Sequence, residues 1–119
     1  MWERYDEAFA DLPIVRPATP EPNTVHARHL YTILVDPERI GKSRDQVLNE
    51  LGAMNIGAGV HYTPVHLHPY YRERFGYEVG AFPNAEYIGS RTLSLPLSAK
   101  LTDDDVADVI AAVRRVCRR

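Results

Sequence analysis

At 119 residues the chain is sized for one domain, and an apolar share of 45% beside 25% charged residues excludes wholesale disorder. A net charge of -2 and a pI near 6.2 leave no basic field to collect phosphate backbones, so nucleic acid is not an expected partner. Cys117 is the sole cysteine, which rules out an internal disulfide; the start carries no secretory pattern and no stretch has the length of a membrane span, so the sequence predicts a soluble, cytoplasmic protein.

In chain order, Trp2, Tyr5, Phe9 and Leu12 fall at helical spacings, and Pro13 stops the pattern. Pro13, Pro17, Pro20 and Pro22 then force an extended connector up to Thr24, as expected of a domain joined to something upstream. Residues 1–25 are therefore expected to be a helix end and Pro-rich connector, and residues 26–119 the domain proper. Arg28 to Val35 is rich in β-branched and aromatic residues and predicts a strand closed by a turn at Asp36-Pro37. Ser43 with Gln46 makes a capping box, and Val47, Leu48, Leu51 and Met54 give the helix it opens one apolar face, predicting a helix over about Arg44 to Met54. A second short strand is expected over Gly57 to Tyr62, leaving the sheet before Pro64. Short helices follow at Pro69 to Phe75, ended by Gly76, and at Asn84 to Arg91, with a third strand at Thr92 to Leu95. Thr102 with Asp105 is a second capping box, and Val106, Val109, Ile110, Val113 and Val116 form the stripe of a closing amphipathic helix. Asp103, Asp104 and Asp105 at its start, and Arg114, Arg115, Arg118 and Arg119 at its end, complement the helix dipole and are read as structural. The order predicts an α+β fold, a small antiparallel or mixed three-stranded sheet with helices on one face.

Reactive groups concentrate in His61-Tyr-Thr-Pro-Val-His-Leu-His68, at a strand end and in the loop after it. Loops held by rigid strands collect binding groups, and His and Tyr can each hydrogen-bond a sugar hydroxyl or a diphosphate oxygen. Two other readings stay open on the residues alone. These can be ordinary polar loop side chains, with His61 packed under the short helices, or His61, His66 and His68 can hold a metal, although no carboxylate motif accompanies them. No nucleophile elbow, phosphate loop or dinucleotide fingerprint is present; Gly41-Lys42-Ser43 lacks the upstream glycine and caps a helix instead.

The segment Gly59-Val-His-Tyr-Thr-Pro-Val-His-Leu-His-Pro-Tyr-Tyr-Arg, then Gly80-Ala-Phe-Pro-Asn-Ala-Glu-Tyr, then Ser94-Leu-Pro-Leu-Ser-Ala-Lys-Leu-Thr-Asp-Asp-Asp-Val, resembles in order and spacing the carboxy-terminal part of the DegT/DnrJ/EryC1/StrS aminotransferases. His29-Leu-Tyr-Thr-Ile-Leu-Val and Arg44-Asp-Gln-Val-Leu-Asn-Glu-Leu resemble the strand and helix that precede them, so the resemblance runs from about Trp2 to Val116. It implies a fold like the C-terminal domain of fold-type-I aminotransferases, and a family activity in which pyridoxal phosphate (PLP) moves an amino group onto a nucleotide-linked keto sugar, in enzymes that work as dimers. That chemistry needs a lysine holding the cofactor and an acid at its pyridine nitrogen. The resemblance assigns both to a large amino-terminal domain, so neither Lys42 nor Lys100 is expected to hold cofactor and no catalytic residue is expected here. It leaves the substrate side: His61, Tyr62 and His66 match positions facing the nucleotide-sugar pocket, with Arg72 a candidate for a phosphate or a structural pair. The expectation is thus an excised domain, a truncated product or half of a split enzyme, partnered by a large PLP-binding domain or chain. A homo-oligomer, or a non-catalytic binding or interaction module derived from the domain, are the other expectations.

Overall fold

The structure is a computed structural model and describes residues 1–118. Helix α1 spans Trp2–Ala8, followed by strand β1 (Ile14–Val15), strand β2 (Tyr31–Val35), α2 (Pro37–Ile40) and α3 (Arg44–Ala53). A 3-10 turn at Val65–Leu67 leads to α4 (Pro69–Phe75), α5 (Pro83–Gly89), β3 (Thr92–Leu95) and α6 (Asp103–Cys117). The three strands form one sheet in the order β1-β2-β3, antiparallel throughout.

Strand β2 sits in the middle, and its alternation explains why. Tyr31, Ile33 and Val35 are fully buried, whereas Thr32 and Leu34, pointing to the opposite face, are half-buried. Across the β2–β3 ladder Tyr31 faces Leu95 and Ile33 faces Leu93, so the buried face is apolar on both strands. That face joins one core with Val47 and Leu51 of α3 and with Val106, Val109, Val113 and Val116 of α6. Tyr5 and Phe9 pack edge-on against Tyr31, with ring centroids 5.3 and 6.2 Å away. Cys117 closes the core at the end of α6; burial pushes its thiol up to about 11.

Both capping boxes form as predicted. The Ser43 hydroxyl accepts from Gln46 N while the Gln46 side chain accepts from Ser43 N, and Thr102 and Asp105 do the same for α6. Five expectations are corrected. The first helix ends at Ala8, because Leu12 N turns back to Phe9 O, and the segment read as pure connector contributes β1, where Ile14 faces Val35. Residues 57–62 give only one bridge, Gly59 to Ser94, so β1 is the third strand and no parallel pairing exists among the described residues. The turn at Asp36-Pro37 is a short helix, with Pro37 at its first position, Asp36 accepting from Glu38 N and Gly41 stopping it at φ 79°. Helix α5 ends at Gly89, leaving Ser90 and Arg91 in the turn into β3.

Arg114 does more than complement the α6 dipole: its guanidinium grips both carboxylate oxygens of Asp11 at 2.6 and 2.7 Å and also donates to Ala8 O, fastening α1 to α6. Arg119, grouped with it by sequence, lies outside the described residues. No described helix is long and apolar enough to cross a membrane.

Candidate functional site

The site grows from the edge of β3. Gly59 and Ser94 exchange backbone hydrogen bonds, Gly59 N to Ser94 O at 3.0 Å and Ser94 N to Gly59 O at 2.8 Å. This bridge delivers the following residues to the mouth of the sheet. A Cβ at position 59 would lie 2.9 Å from His61 Cε1, so glycine there is what lets the imidazole fold back over the bridge. His61 Nδ1 then meets the Ser94 hydroxyl at 2.8 Å. The next peptide, His61–Tyr62, is cis. Tyr62 stands at right angles to the His61 ring, centroids 4.8 Å apart, and is 74% exposed. Imidazole and phenol thus lie side by side, each able to hydrogen-bond an incoming group.

Behind them the chain runs close against α5: a Cβ on Gly89 would fall 2.5 Å from Pro64 Cδ and 3.2 Å from Tyr62 O. The loop and the helix thus touch through a residue with no side chain. A hollow of about 530 Å³ lies alongside, lined by Thr63, Pro64, Glu86, Ser90 and Arg91.

His66 occupies a different environment from its neighbour. It is 6% exposed, its ring tilts against Phe82 at 4.8 Å, and its Nε2 lies 2.9 Å from Glu86 Oε1. The same oxygen accepts Gly80 N at 2.8 Å and Phe82 N at 3.4 Å. One carboxylate therefore ties the 3-10 turn, the 80–82 loop and α5 together. These bonds, the one to His66 foremost, hold the Glu86 carboxyl below the ordinary carboxylate range against the opposing effect of burial. From Phe82 an aromatic chain continues through Tyr77 and Phe75 to Tyr71 and Tyr70, much of it facing outward.

Of the four residues singled out by sequence, His61 and Tyr62 come together at the surface. His66 is turned inward to Glu86, and Arg72 is exposed on α4 with no ion pair among the described residues. His61, His66 and His68 do not converge: no three His, Cys, Asp or Glu side chains are grouped to hold a metal among the described residues. Ser94 and Glu86 stand within the segments that carry the family resemblance but not among its site residues. The helix pattern of residues 84–91 placed Glu86 on α5, but nothing in local spacing links it to His66, and Ser94 reads only as a strand residue.

The two lysines are remote in character from this loop. Lys42 Nζ is held 2.6 Å from Glu50 Oε2 and 3.2 Å from Val116 O, and Lys100 is exposed in the turn before α6.

The model of the DegT/DnrJ/EryC1/StrS aminotransferase family matches residues 1–114. The spore coat polysaccharide biosynthesis protein SpsC of Bacillus subtilis is 44% identical over 117 residues, which is 97% of this chain and 30% of SpsC. Among solved structures, the putative sugar aminotransferase Spr1654 from Streptococcus pneumoniae in its PMP form matches 97% of this chain, and 28% of its own, at 30% identity and TM-score 0.84. DesI, solved in the presence of its TDP-sugar product, matches 99% of this chain and 30% of its own at 26% identity and TM-score 0.81. The chain spans under a third of the length of each of these relatives.

Proposed function

The chain belongs to the DegT/DnrJ/EryC1/StrS aminotransferase family, and we propose that it is the carboxy-terminal small domain of a PLP-dependent enzyme that aminates nucleotide-linked keto sugars, contributing substrate-binding residues and not the cofactor lysine. The observation that carries the reading is the His61–Tyr62 pair, fastened to β3 and open to the outside in a chain that matches under a third of a sugar aminotransferase. An imidazole and a phenol side by side suit the hydroxyls of a sugar or the oxygens of a diphosphate, and the TDP-sugar product in whose presence the relative DesI was solved is of that class.

PLP itself does not fit the residues present. A cofactor lysine needs a free amine beside a phosphate cradle, whereas the Lys42 amine is engaged by a carboxylate and a carbonyl and Lys100 stands on an open turn. The lysine and the acid at the pyridine nitrogen belong, in this reading, to a large domain or partner chain, while α1 and β1 join the core and sheet of the small domain. His61 and Tyr62 bind and orient the sugar nucleotide, Arg72 offers a cation to its phosphates, and His66 acts at one remove by holding the loop through Glu86. The setting proposed is the cytoplasm.

A second reading, a non-catalytic interaction module, draws on the large apolar side chains Tyr62, Tyr70, Phe75 and Val79, each exposed. Incubating the purified chain with PLP, reducing with borohydride and mapping the intact mass tests the first reading. No stoichiometric adduct is expected; specific modification of Lys42 or Lys100 in a transaminating protein would overturn it. Concentration-dependent self-association with no response to TDP favours the module instead.

A further inference from the structure

We infer that Ser94 is a positioning residue that fixes the tautomer of His61, so that the imidazole presents Nε2–H outward as a hydrogen-bond donor to a ligand acceptor oxygen such as a phosphoryl oxygen. The inference deepens the proposed function and rests on it only for the identity of the ligand.

Ser94 is 4% exposed, and its backbone N–H and C=O are taken by Gly59. Its hydroxyl carries one hydrogen, and a buried hydroxyl hydrogen requires an acceptor. Among the described residues the Ser94 Oγ has one partner, His61 Nδ1 at 2.8 Å. A neutral imidazole has one nitrogen that donates and one that accepts. If Nδ1 carried the hydrogen, it would donate to Ser94 Oγ and leave the serine hydrogen buried without an acceptor. With the lone pair on Nδ1 the serine donates, both groups are satisfied, and the ring hydrogen sits on Nε2. Nε2 makes no bond within the described residues, which leaves it as the ring nitrogen available to a ligand.

Geometry holds this arrangement from both sides. The paired backbone bonds between Gly59 and Ser94 set the distance between the two residues, and the missing Cβ at Gly59 gives the ring its resting place. The role of His61 is therefore to donate, and the ligand atom that answers it must carry a free lone pair, as a phosphoryl oxygen does. A ligand nitrogen that offers only hydrogens would meet another donor.

The test is a two-bond ¹H–¹⁵N correlation spectrum of the imidazoles in the ¹⁵N-labelled 119-residue chain at about pH 8, where an ordinary imidazole is neutral. The wild-type chain should show His61 as the Nε2–H form, with an acceptor-type Nδ1. In Ser94→Ala the His61 nitrogens should move toward the averaged values of a mixed imidazole, while the amides of Ile33 and Val35 stay in place and report an intact sheet. Affinity for TDP, used as the probe, should fall about fivefold to tenfold, the scale of one hydrogen bond. An Nδ1–H form in the wild-type chain overturns the inference without any need for the variant to fold, and so does a Ser94→Ala chain whose His61 nitrogens are unmoved. A His61 held as Nε2–H that TDP does not shift supports the role of Ser94 and overturns the sugar-nucleotide reading, so the two fail separately.

Discussion

The sheet with α1, α3 and α6 and the excursion of residues 61–91 are two solutions to ordering one chain. In the first, side chains from the three strands, α1, α2, α3 and α6 converge on a single apolar core. In the second only His66 and Gly89 are buried, and Tyr62, Val65, Tyr70, Phe75, Val79, Phe82, Tyr87 and Ile88 face out. The excursion is held instead by polar fastenings: the Glu86 carboxylate on three donors, and the Arg44 guanidinium donating to Gly89 O and Thr92 O at 3.3 Å each. Burial holds the scaffold, hydrogen bonds hold the lobe, and the large apolar side chains of the lobe stay exposed.

The sharpest way to expose that division is to damage the scaffold. Leu51→Ala removes a fully buried side chain from α3 and should cost about 2–5 kcal/mol in urea unfolding, with the lobe lost in the same transition. A lobe that kept its amide protection after the core had melted would break the comparison. Next in size is the Glu86 fastening. Glu86→Ala should raise hydrogen exchange at Gly80 and Phe82 on the order of tenfold while the β2 amides hold. Acid should act in the same direction. Because folding depresses the Glu86 pKa, its contribution is complete above the ordinary carboxyl value and is lost as pH falls through the depressed one. The protection factor of the Gly80 amide, its exchange referred to the intrinsic rate at each pH, should then fall on the acid side, and protection independent of pH would show that His66 and the carboxylate do not hold the loop. Smallest is the surface itself. Phe75→Ser should change stability by less than about 0.5 kcal/mol while weakening any self-association seen by sedimentation; a loss comparable to Leu51→Ala would mean that the lobe has a core of its own.

The fold is legible in the sequence where the physics is local. Each capping box lies within four consecutive residues, and the stripe of α6 is written in one run, so both were legible. Strand β1 was not, since Ile14 and Val15 are too few to show a period and acquire their meaning from Val35 and Leu34, far along the chain. Residues 57–62 look like a strand by composition, yet Gly59 bridges Ser94 at a single point before the chain leaves toward Pro64. The site divides in the same way. His61 and Tyr62 stood out as polar groups in a loop, but the Ser94 that orients the imidazole is 33 residues away. His66 looked like an equal member of the cluster until its partner, Glu86, 20 residues on, was seen to draw it inward.

Cys117 supplies a clock that is already wired into the scaffold. Its sulfur is fully buried, and a thiol pushed up to about 11 has almost no reactive thiolate near neutral pH. A thiol reagent added to the folded chain must wait for α6 to come away, so the labelling rate counts openings of the scaffold and is blind to movements of the lobe. With one cysteine in the sequence the count has a single source.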